Sequence, residues 1–353
     1  MDRTEILRWL REEDEGQLEK LWERADAVRH KHVGDAVHLR GLLEISNHCV
    51  RSCAYCGLRA ANRDLVRYRM TEKEILACAH RAVEYGYGTV VIQAGEDPET
   101  ETGWVTDVVR RIKTETPLAV TLSLGERGDE ELAAWRDAGA DRYLLRFETS
   151  NRELYDRIHP SLGSTRSDRI AILHTLRRLG YETGGGVMIG IPGQTWDDLA
   201  GDVMTFAELD LDMIGVGPFI AHPATPLGSA GDASAPGGAQ VPNTELMTYK
   251  VVALARLVCP LSNIPSTSAL ATLNLADGRE LGLSRGANVV MPNLTPPAYR
   301  ALYEIYPAKA CIRETADACH ACMRGRIASL GRTVGRGRGD SPRSVLAAEN
   351  LTH

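Results

Sequence analysis

Hydrophobic and polar positions along the chain follow two alternating periods. Short apolar runs rich in β-branched residues are typical of buried strands, whereas apolar residues that recur every three or four positions are typical of amphipathic helices. Strand-like runs occur eight times, and helical patterns separate most of them. The predicted strands cover residues 38–46, 89–95, 118–125, 142–148, 182–190, 213–219, 263–269 and 287–293.

Capping signals support the predicted helices. Thr71 and Glu74 form a capping-box pattern at the start of one helix, which Gly86 is placed to end, and Thr195 begins another in the same style. Residues 167–179 and 245–258 are further periodic helices. The charged, amphipathic residues 1–33 predict helices that pack outside the main domain.

Eight strands alternating with helices over about 260 residues match a (β/α)8 TIM barrel in number and size. A doubly wound open sheet is the alternative, but no G-x-G-x-x-G motif follows the first strand. We therefore predict an N-terminal helical segment at 1–35, a barrel at 36–308 and a C-terminal segment at 309–353. The Gly-, Ala-, Ser- and Pro-rich stretch 226–243 predicts an exposed loop, and the repeated Arg and Gly after Met323 predict a solvated, loosely ordered tail.

The charge balance excludes some function classes. The 353 residues include 41 basic and 47 acidic side chains, a net charge of −6, which argues against a nucleic-acid binder. There is no run of 18 apolar residues, and the first twenty residues are charged throughout. Neither a membrane span nor a signal peptide is expected, so a soluble, cytoplasmic protein is predicted.

Eight cysteines form two triplets and two single positions. Cys49, Cys53 and Cys56 directly follow the first strand, at the barrel face where active sites form. Three thiolates on a short loop can hold three corners of a [4Fe–4S] cube and leave the fourth iron open, while a zinc site with His48 is the alternative. Cys78 and Cys259 have apolar neighbours and are expected to be packing residues.

The arrangement Cys-x3-Cys-x-Tyr-Cys resembles the signature of the radical S-adenosylmethionine (SAM) superfamily. The resemblance implies a [4Fe–4S] cluster whose open iron binds the amino and carboxylate groups of SAM, and a 5′-deoxyadenosyl radical formed by reductive cleavage. The residues alone would leave Glu148 and Arg169 as ordinary surface charges. The SAM-pocket residues that the resemblance implies are Tyr55, Gly95, Glu96, Ser123, Glu148 and Arg169.

Longer strings, including QAGEDP at 93–98, DRYLLRFET at 141–149 and GPFIAHP at 217–223, are similar to the HydE family of [FeFe]-hydrogenase maturases. The resemblance implies a small iron–cysteine substrate carrying CO and cyanide. Implied partners are other hydrogenase maturation proteins and an electron donor such as ferredoxin or flavodoxin. An anionic substrate is expected to supply the partner of a lumenal Arg146. The candidate substrate contacts are Gln93, Thr121, Arg146, Thr267, Ser268, Tyr303 and Tyr306.

Cys311, Cys319 and Cys322 match an accessory iron–sulfur site of some HydE proteins, which implies a second, dispensable [2Fe–2S] or [4Fe–4S] cluster in a C-terminal extension. A zinc site with His320 is the alternative. Ala94 stands where the family pattern suggests serine, and Phe147 where it suggests histidine. Either departure is expected to reshape the substrate pocket.

Other functions remain open at this stage. A related radical SAM synthase of the methylornithine, biotin or iron-pyridinol type would share the barrel and the cysteine loop. A non-enzymatic electron-transfer or metal-carrier protein would use two clusters but would not need the SAM contacts.

Overall fold

The computed structural model describes residues 1–164, 166–229 and 239–344. The helices are α1 (Arg3–Arg11), α2 (Glu15–Val33), α3 (Glu72–Glu84), α4 (Thr102–Glu115), α5 (Asp129–Asp137), α6 (Arg152–Ile158), α7 (Arg169–Arg178), α8 (Trp196–Glu208), α9 (Pro226–Ser229), α10 (Glu245–Val258), α11 (Ser268–Leu273), α12 (Gly278–Ser284), α13 (Pro297–Arg300) and α14 (Ala316–Ser329). The strands are β1 (Ala36–Ser46), β2 (Thr89–Ala94), β3 (Ala119–Ser123), β4 (Arg142–Leu144), β5 (Glu182–Gly185), β6 (Met188–Ile189), β7 (Met213–Ile214), β8 (Gly217–Pro218), β9 (Val289–Val290) and β10 (Thr333–Val334).

Parallel strands close into a ring. β1 to β5 pair in sequence order and β5 pairs with β7, while β9 pairs with the other edge of β1. Parallel bridges from Met213 to Asn263 and from Pro265 to Val289 join the two ends of this sheet. The predicted (β/α)8 barrel is therefore confirmed, with aliphatic side chains of the strands and surrounding helices forming its core.

The predicted strands 142–148 and 287–293 are reduced to the short strands β4 and β9, and three others are interrupted or end early because the backbone turns inside them. The run 182–190 divides into β5 and β6 at Gly186, where an added Cβ would lie 1.9 Å from the carbonyl oxygen of Gly215. The run 213–219 divides in the same way into β7 and β8. In the run 263–269, pairing ends after Pro265 because Thr267 is already the N-cap of α11.

The N-terminal helices pack on the outside of the barrel, as expected. α1 contacts α8 and α10, and α2 contacts α10. Lys250 on α10 donates to the carbonyl of Leu10 at 3.0 Å, which ties the end of α1 to the barrel. Both predicted capping boxes are present, at Thr71 and at Thr195.

The expectation of a loosely ordered tail is wrong for residues up to 344. β10 pairs with the first residues of β1, and the following chain crosses the amino-terminal end of the barrel. There Arg40 Nη2 donates to Gly339 O at 2.9 Å, and Arg142 pairs with Asp340. Buried arginines on the barrel floor need acceptors, and this segment supplies them. The remaining tail, 345–353, lies outside the described residues.

Two further sequence predictions concern the surface and the membrane. Residues 226–229 of the predicted loop form α9, while 230–238 lie outside the described residues. No helix in the described part of the chain is long and apolar enough to cross a membrane.

Candidate active site

A cavity of about 340 Å³ occupies the barrel interior, from the loop after β1 down to Arg40. All sixteen residues that the sequence assigns to the cluster, SAM and substrate line it. They are Cys49, Cys53, Tyr55, Cys56, Gln93, Gly95, Glu96, Thr121, Ser123, Arg146, Glu148, Arg169, Thr267, Ser268, Tyr303 and Tyr306.

Arg67 fixes the loop that carries the three cysteines. Its guanidinium donates to the carbonyl oxygens of Asn47 at 2.5 Å, Leu58 at 2.8 Å, Arg59 at 2.9 Å and Asn62 at 3.0 Å. These acceptors lie on both sides of the cysteines. Arg67 therefore links the two ends of the cysteine loop.

Gly95 allows this loop to lie against the end of β2. A Cβ at position 95 would stand 2.1 Å from His48 O and 2.9 Å from Cys49 Cβ. No side chain fits there, because the first atom is backbone and cannot rotate away. The glycine before Glu96 therefore has a steric role.

The Gly95→Ala variant is expected to displace the cysteine loop and to reduce bound iron after reconstitution. The melting temperature should also fall, since overpacking of a tight contact costs about 1–3 kcal/mol. Gly103→Ala is the matched control, because its added methyl meets nothing within 4 Å. Full iron binding by Gly95→Ala, at the level of this control, would contradict the steric role.

Glu126 is a site residue that the sequence reasoning missed. It follows β3 and accepts from Arg51 Nη2 at 2.8 Å, Arg169 Nε at 2.9 Å and Ser167 Oγ at 2.6 Å. Burial alone would raise the pKa of Glu126, but His159, Arg169 and Ser167 together hold it well below its usual range. A polar residue after a barrel strand was the available signal.

Arg51, also missed, connects Glu126 to the predicted SAM residue Glu96. Arg51 Nε donates to Glu96 Oε1 at 2.5 Å, and the backbone N–H of Glu126 donates to Glu96 Oε2 at 3.0 Å. Arg51 Nη1 is buried and has no hydrogen-bond partner in the part of the chain that the structure describes. This nitrogen can therefore serve a ligand.

Arg146 and Glu148 both face the lumen, but the expected anionic partner of Arg146 is already present in the protein. Arg146 Nη2 lies 3.0 Å from Glu148 Oε2 and donates to Val187 O at 2.6 Å. Glu148 therefore already balances the charge of Arg146, and the expected contact with an anionic substrate stays a prediction. Tyr55 OH lies 3.5 Å from Glu148 Oε1, so the Tyr55 side chain, as well as its backbone, shapes this wall.

The opposite wall carries a second network. Gln93 Nε2 donates to Tyr303 OH at 3.1 Å, and Lys309 pairs with Glu44, two buried residues that the sequence analysis did not select. Burial raises the pKa of Tyr306, on the same cavity wall, to about 12. The hydroxyls of Thr121 and Thr267 have no hydrogen-bond partner among the described residues. Both are thus available to a bound molecule.

The two departures from the family pattern differ in position. Ala94 lines the cavity and can change its shape. Phe147 is buried and packs edge-on against Phe206, with ring centroids 5.9 Å apart. Phe147 is not among the residues that line the cavity, so it can affect the pocket only through its packing.

The three cavity cysteines suit a cluster better than a single ion. Burial raises the pKa of Cys53 to about 12 and also raises the pKa of Cys49 and Cys56, and a bound cation would stabilise the thiolate forms. Within the described residues, no three His, Cys, Asp or Glu side chains gather closely enough to hold one metal ion. Ligands of a cube bind separate irons and need not converge on one point.

The second triplet lies away from the cavity. Arg279 Nη2 donates to Cys311 Sγ at 3.6 Å, and Arg326 Nε donates to Cys322 Sγ at 3.3 Å. The hydrogen bond from Cys319, aided by Arg279, lowers the pKa of Cys311. His320 instead bonds to Tyr87 OH at 3.0 Å and stacks on Tyr85, which does not favour the zinc alternative. The single residues Cys78 and Cys259 are buried.

Comparison with known proteins identifies the family. Residues 43–204 match the model of the Radical SAM superfamily. Over 332 residues the chain is 47% identical to the [FeFe] hydrogenase maturase subunit HydE of Thermotoga maritima, covering 94% of this chain and 91% of that protein. The chain belongs to the HydE family of radical SAM enzymes. As a HydE-family member it is an enzyme that uses a [4Fe–4S] cluster and SAM, so the carrier alternative is wrong.

Other relatives of this HydE-family chain are more distant. The 3-methylornithine synthase of Methanosarcina acetivorans is 28% identical over 280 residues, 79% of this chain and 75% of the relative. The crystal structure of methylornithine synthase has a TM-score of 0.80 at 24% identity, covering 95% and 94% of the two chains. The maturase HydG has a TM-score of 0.78 at 18% identity, covering 99% of this chain and 77% of its own. These two structures confirm the barrel fold.

Proposed function

We propose that this HydE-family enzyme holds its [4Fe–4S] cluster on Cys49, Cys53 and Cys56. Its substrate is a small iron–cysteine complex carrying CO and cyanide, used to assemble the diiron cofactor of [FeFe]-hydrogenase. The observation that carries the proposal is the convergence of all sixteen selected residues on one cavity. A volume of about 340 Å³ suits a small molecule.

The residues next to the cysteines fit SAM. When bound, the cluster supplies the electron that cleaves the SAM sulfonium and yields a 5′-deoxyadenosyl radical. Arg51 and Arg169, both held by Glu126, would present guanidinium groups to the SAM carboxylate. Glu96, held by Arg51, would accept from the SAM amino group. Ion pairs within the protein thus hold these charged groups in place beside the cysteines.

The residues farther along the cavity fit a small polar substrate. The free hydroxyls of Thr121 and Thr267 would donate to its CO and cyanide ligands, and Arg146 and Tyr306 would complete the polar wall. Ser268 at the start of α11 and the bonded pair Gln93–Tyr303 lie on the same surface. Arg40, at the bottom of this cavity, donates to Gly339 O, so the C-terminal segment lies beneath this part of the site.

Reconstitution with iron and sulfide under anaerobic conditions tests the proposal. After reduction with dithionite, the protein should convert SAM to 5′-deoxyadenosine, and its absence would contradict the proposal. Addition of the iron–cysteine carbonyl–cyanide complex should yield a product adenosylated on the cysteine sulfur. SAM cleavage with the complex left unmodified would favour a synthase of the methylornithine, biotin or iron-pyridinol type.

We further propose a second iron–sulfur cluster on Cys311, Cys319 and Cys322, [2Fe–2S] or [4Fe–4S], that the chemistry does not require. The double variant Cys311→Ser, Cys322→Ser is expected to lose the iron of one cluster and to retain SAM cleavage, because this triplet does not line the cavity. Iron and sulfide per chain, measured beside the 5′-deoxyadenosine yield, check this. Unchanged iron content would contradict the second cluster.

The expected partners follow from this chemistry. Other hydrogenase maturation proteins would deliver the substrate and receive the product. A small electron donor such as ferredoxin or flavodoxin would reduce the cluster in place of dithionite.

A further inference from the structure

Cys53 has a buried histidine beside its sulfur that the proposed chemistry leaves unexplained. His159 directly follows α6 as its C-cap residue. Its Nδ1 lies 3.0 Å from Cys53 Sγ, and its side chain is completely buried. The histidine therefore contacts a cluster ligand and has no access to solvent.

The other edge of the His159 ring is fixed as firmly. Nε2 lies 2.9 Å from Glu126 Oε1 and 3.4 Å from Arg169 Nη2. The ring of Tyr155 packs against it, with centroids 5.1 Å apart. Because both nitrogens and one face have neighbours, Nδ1 is held toward the sulfur.

The direction of the hydrogen bond follows from the chemistry of the ligand. An iron-bound Cys53 is a thiolate, which has no proton to donate, so the contact requires a proton on Nδ1 of His159. In the neutral ring with Nδ1 protonated, Nε2 can accept only from Arg169 Nη2 at 3.4 Å and faces the Glu126 carboxylate at 2.9 Å, so this form is the less favourable one. In the imidazolium, Nε2 donates to Glu126. Both forms place N–H on the side of Cys53.

We propose that His159 is a positioning residue that donates an N–H···S hydrogen bond to Cys53 and raises the reduction potential of the [4Fe–4S] cluster. Hydrogen bonds to cluster sulfurs are one determinant of that potential. The reduced cluster carries one more negative charge, so a donor stabilises it more than the oxidised cluster. The external reductant supplies one electron, and no proton moves. The inference rests on the proposed cluster ligands.

Pulsed EPR of the wild-type protein gives a direct test. Protein labelled with ¹⁵N in histidine only, reconstituted, reduced and free of SAM, is expected to show a ¹⁵N hyperfine coupling to the cluster. His159→Asn should lose this coupling. A cluster signal without the coupling would overturn the role of His159 and leave the cluster proposal intact. Absence of any cluster signal would instead overturn the ligand assignment.

Redox titration monitored by EPR tests the effect on the potential. His159→Leu removes the donor and is expected to shift the ratio of reduced to oxidised cluster about tenfold toward oxidised at a fixed potential, or about 59 mV for one electron. His159→Asn places an amide N–H near the position of Nδ1, so its cluster potential should lie close to the wild-type value. An unchanged potential in His159→Leu with full iron content would overturn the proposal.

Tyr155→Phe is the matched control. It keeps the ring beside His159 and removes only the hydroxyl, which bonds to Ser167 at 2.5 Å. The cluster potential should stay at the wild-type value. A shift as large as that of His159→Leu would show that any change in the residues around His159 alters the cluster potential. It would overturn the proposed role of the His159 hydrogen bond.

Discussion

Replacement of Glu126 with leucine is expected to destabilise the folded protein by about 3–5 kcal/mol, because it leaves buried cations without their anion. Arg51 and Arg169 both pair with Glu126, and their side chains are 7% and 10% exposed. Arg51 would retain Glu96, but Arg169 would retain no carboxylate and would keep only uncharged contacts among the described residues, the carbonyl of Arg146 and His159 Nε2 at 3.4 Å. Urea unfolding of the cluster-free protein measures the loss.

Glu130→Leu is the control for Glu126→Leu. It removes the same charge from an exposed position in α5 and should change stability by no more than about 0.5 kcal/mol. Equal losses in the two variants would contradict the role of Glu126. The difference in unfolding free energy between the wild type and Glu126→Leu should also become smaller as the pH is lowered. The pKa of Glu126 is lower in the folded protein than in the unfolded chain. Its carboxylate therefore stabilises the fold at a pH above the unfolded-state pKa, and this stabilisation is lost as the pH falls toward the folded-state pKa.

The same region shows how far sequence reasoning reaches into the site. The spacing of the cysteines and the segments that resemble the family indicate Cys49, Cys53 and Cys56, because these residues lie close together in the sequence. Glu126 lies in the loop after β3 and His159 at the end of α6, where they contact each other, and neither residue type is informative by itself. Their function appears only when the barrel brings the strand ends together.

The fold shows a similar division. Strand number and order follow from the apolar runs, but pairing ends where the backbone of Gly186 meets Gly215. That contact is between two neighbouring strands, so it cannot be predicted from the apolar pattern of either strand alone. Runs of charged residues are usually solvated, so the Arg/Gly-rich sequence predicts a loosely ordered tail. Arg142, completely buried in the barrel, binds Asp340 of that segment.

Truncation of the chain after Val334 should therefore produce the second large effect. It keeps β10 but removes the segment that supplies Gly339 O to Arg40 and Asp340 to Arg142. Thr89 and Glu182 also lose bonds, to Arg338 O at 2.7 Å and to the Ser341 N–H at 2.8 Å. Buried charges that lose partners destabilise the fold, here by on the order of 3 kcal/mol. Urea unfolding measures this loss.

A chain that ends at Ser344 is the control, because it keeps these bonds. Arg40 also lines the cavity, so removal of the floor should admit water beneath the substrate. Faster hydrogen exchange at the backbone amides of β1 would report that opening. Wild-type exchange and stability in the shorter chain would show that the barrel floor closes without this segment. The expected result, in contrast, would make residues 335–344 part of the wall that separates the radical chemistry from solvent.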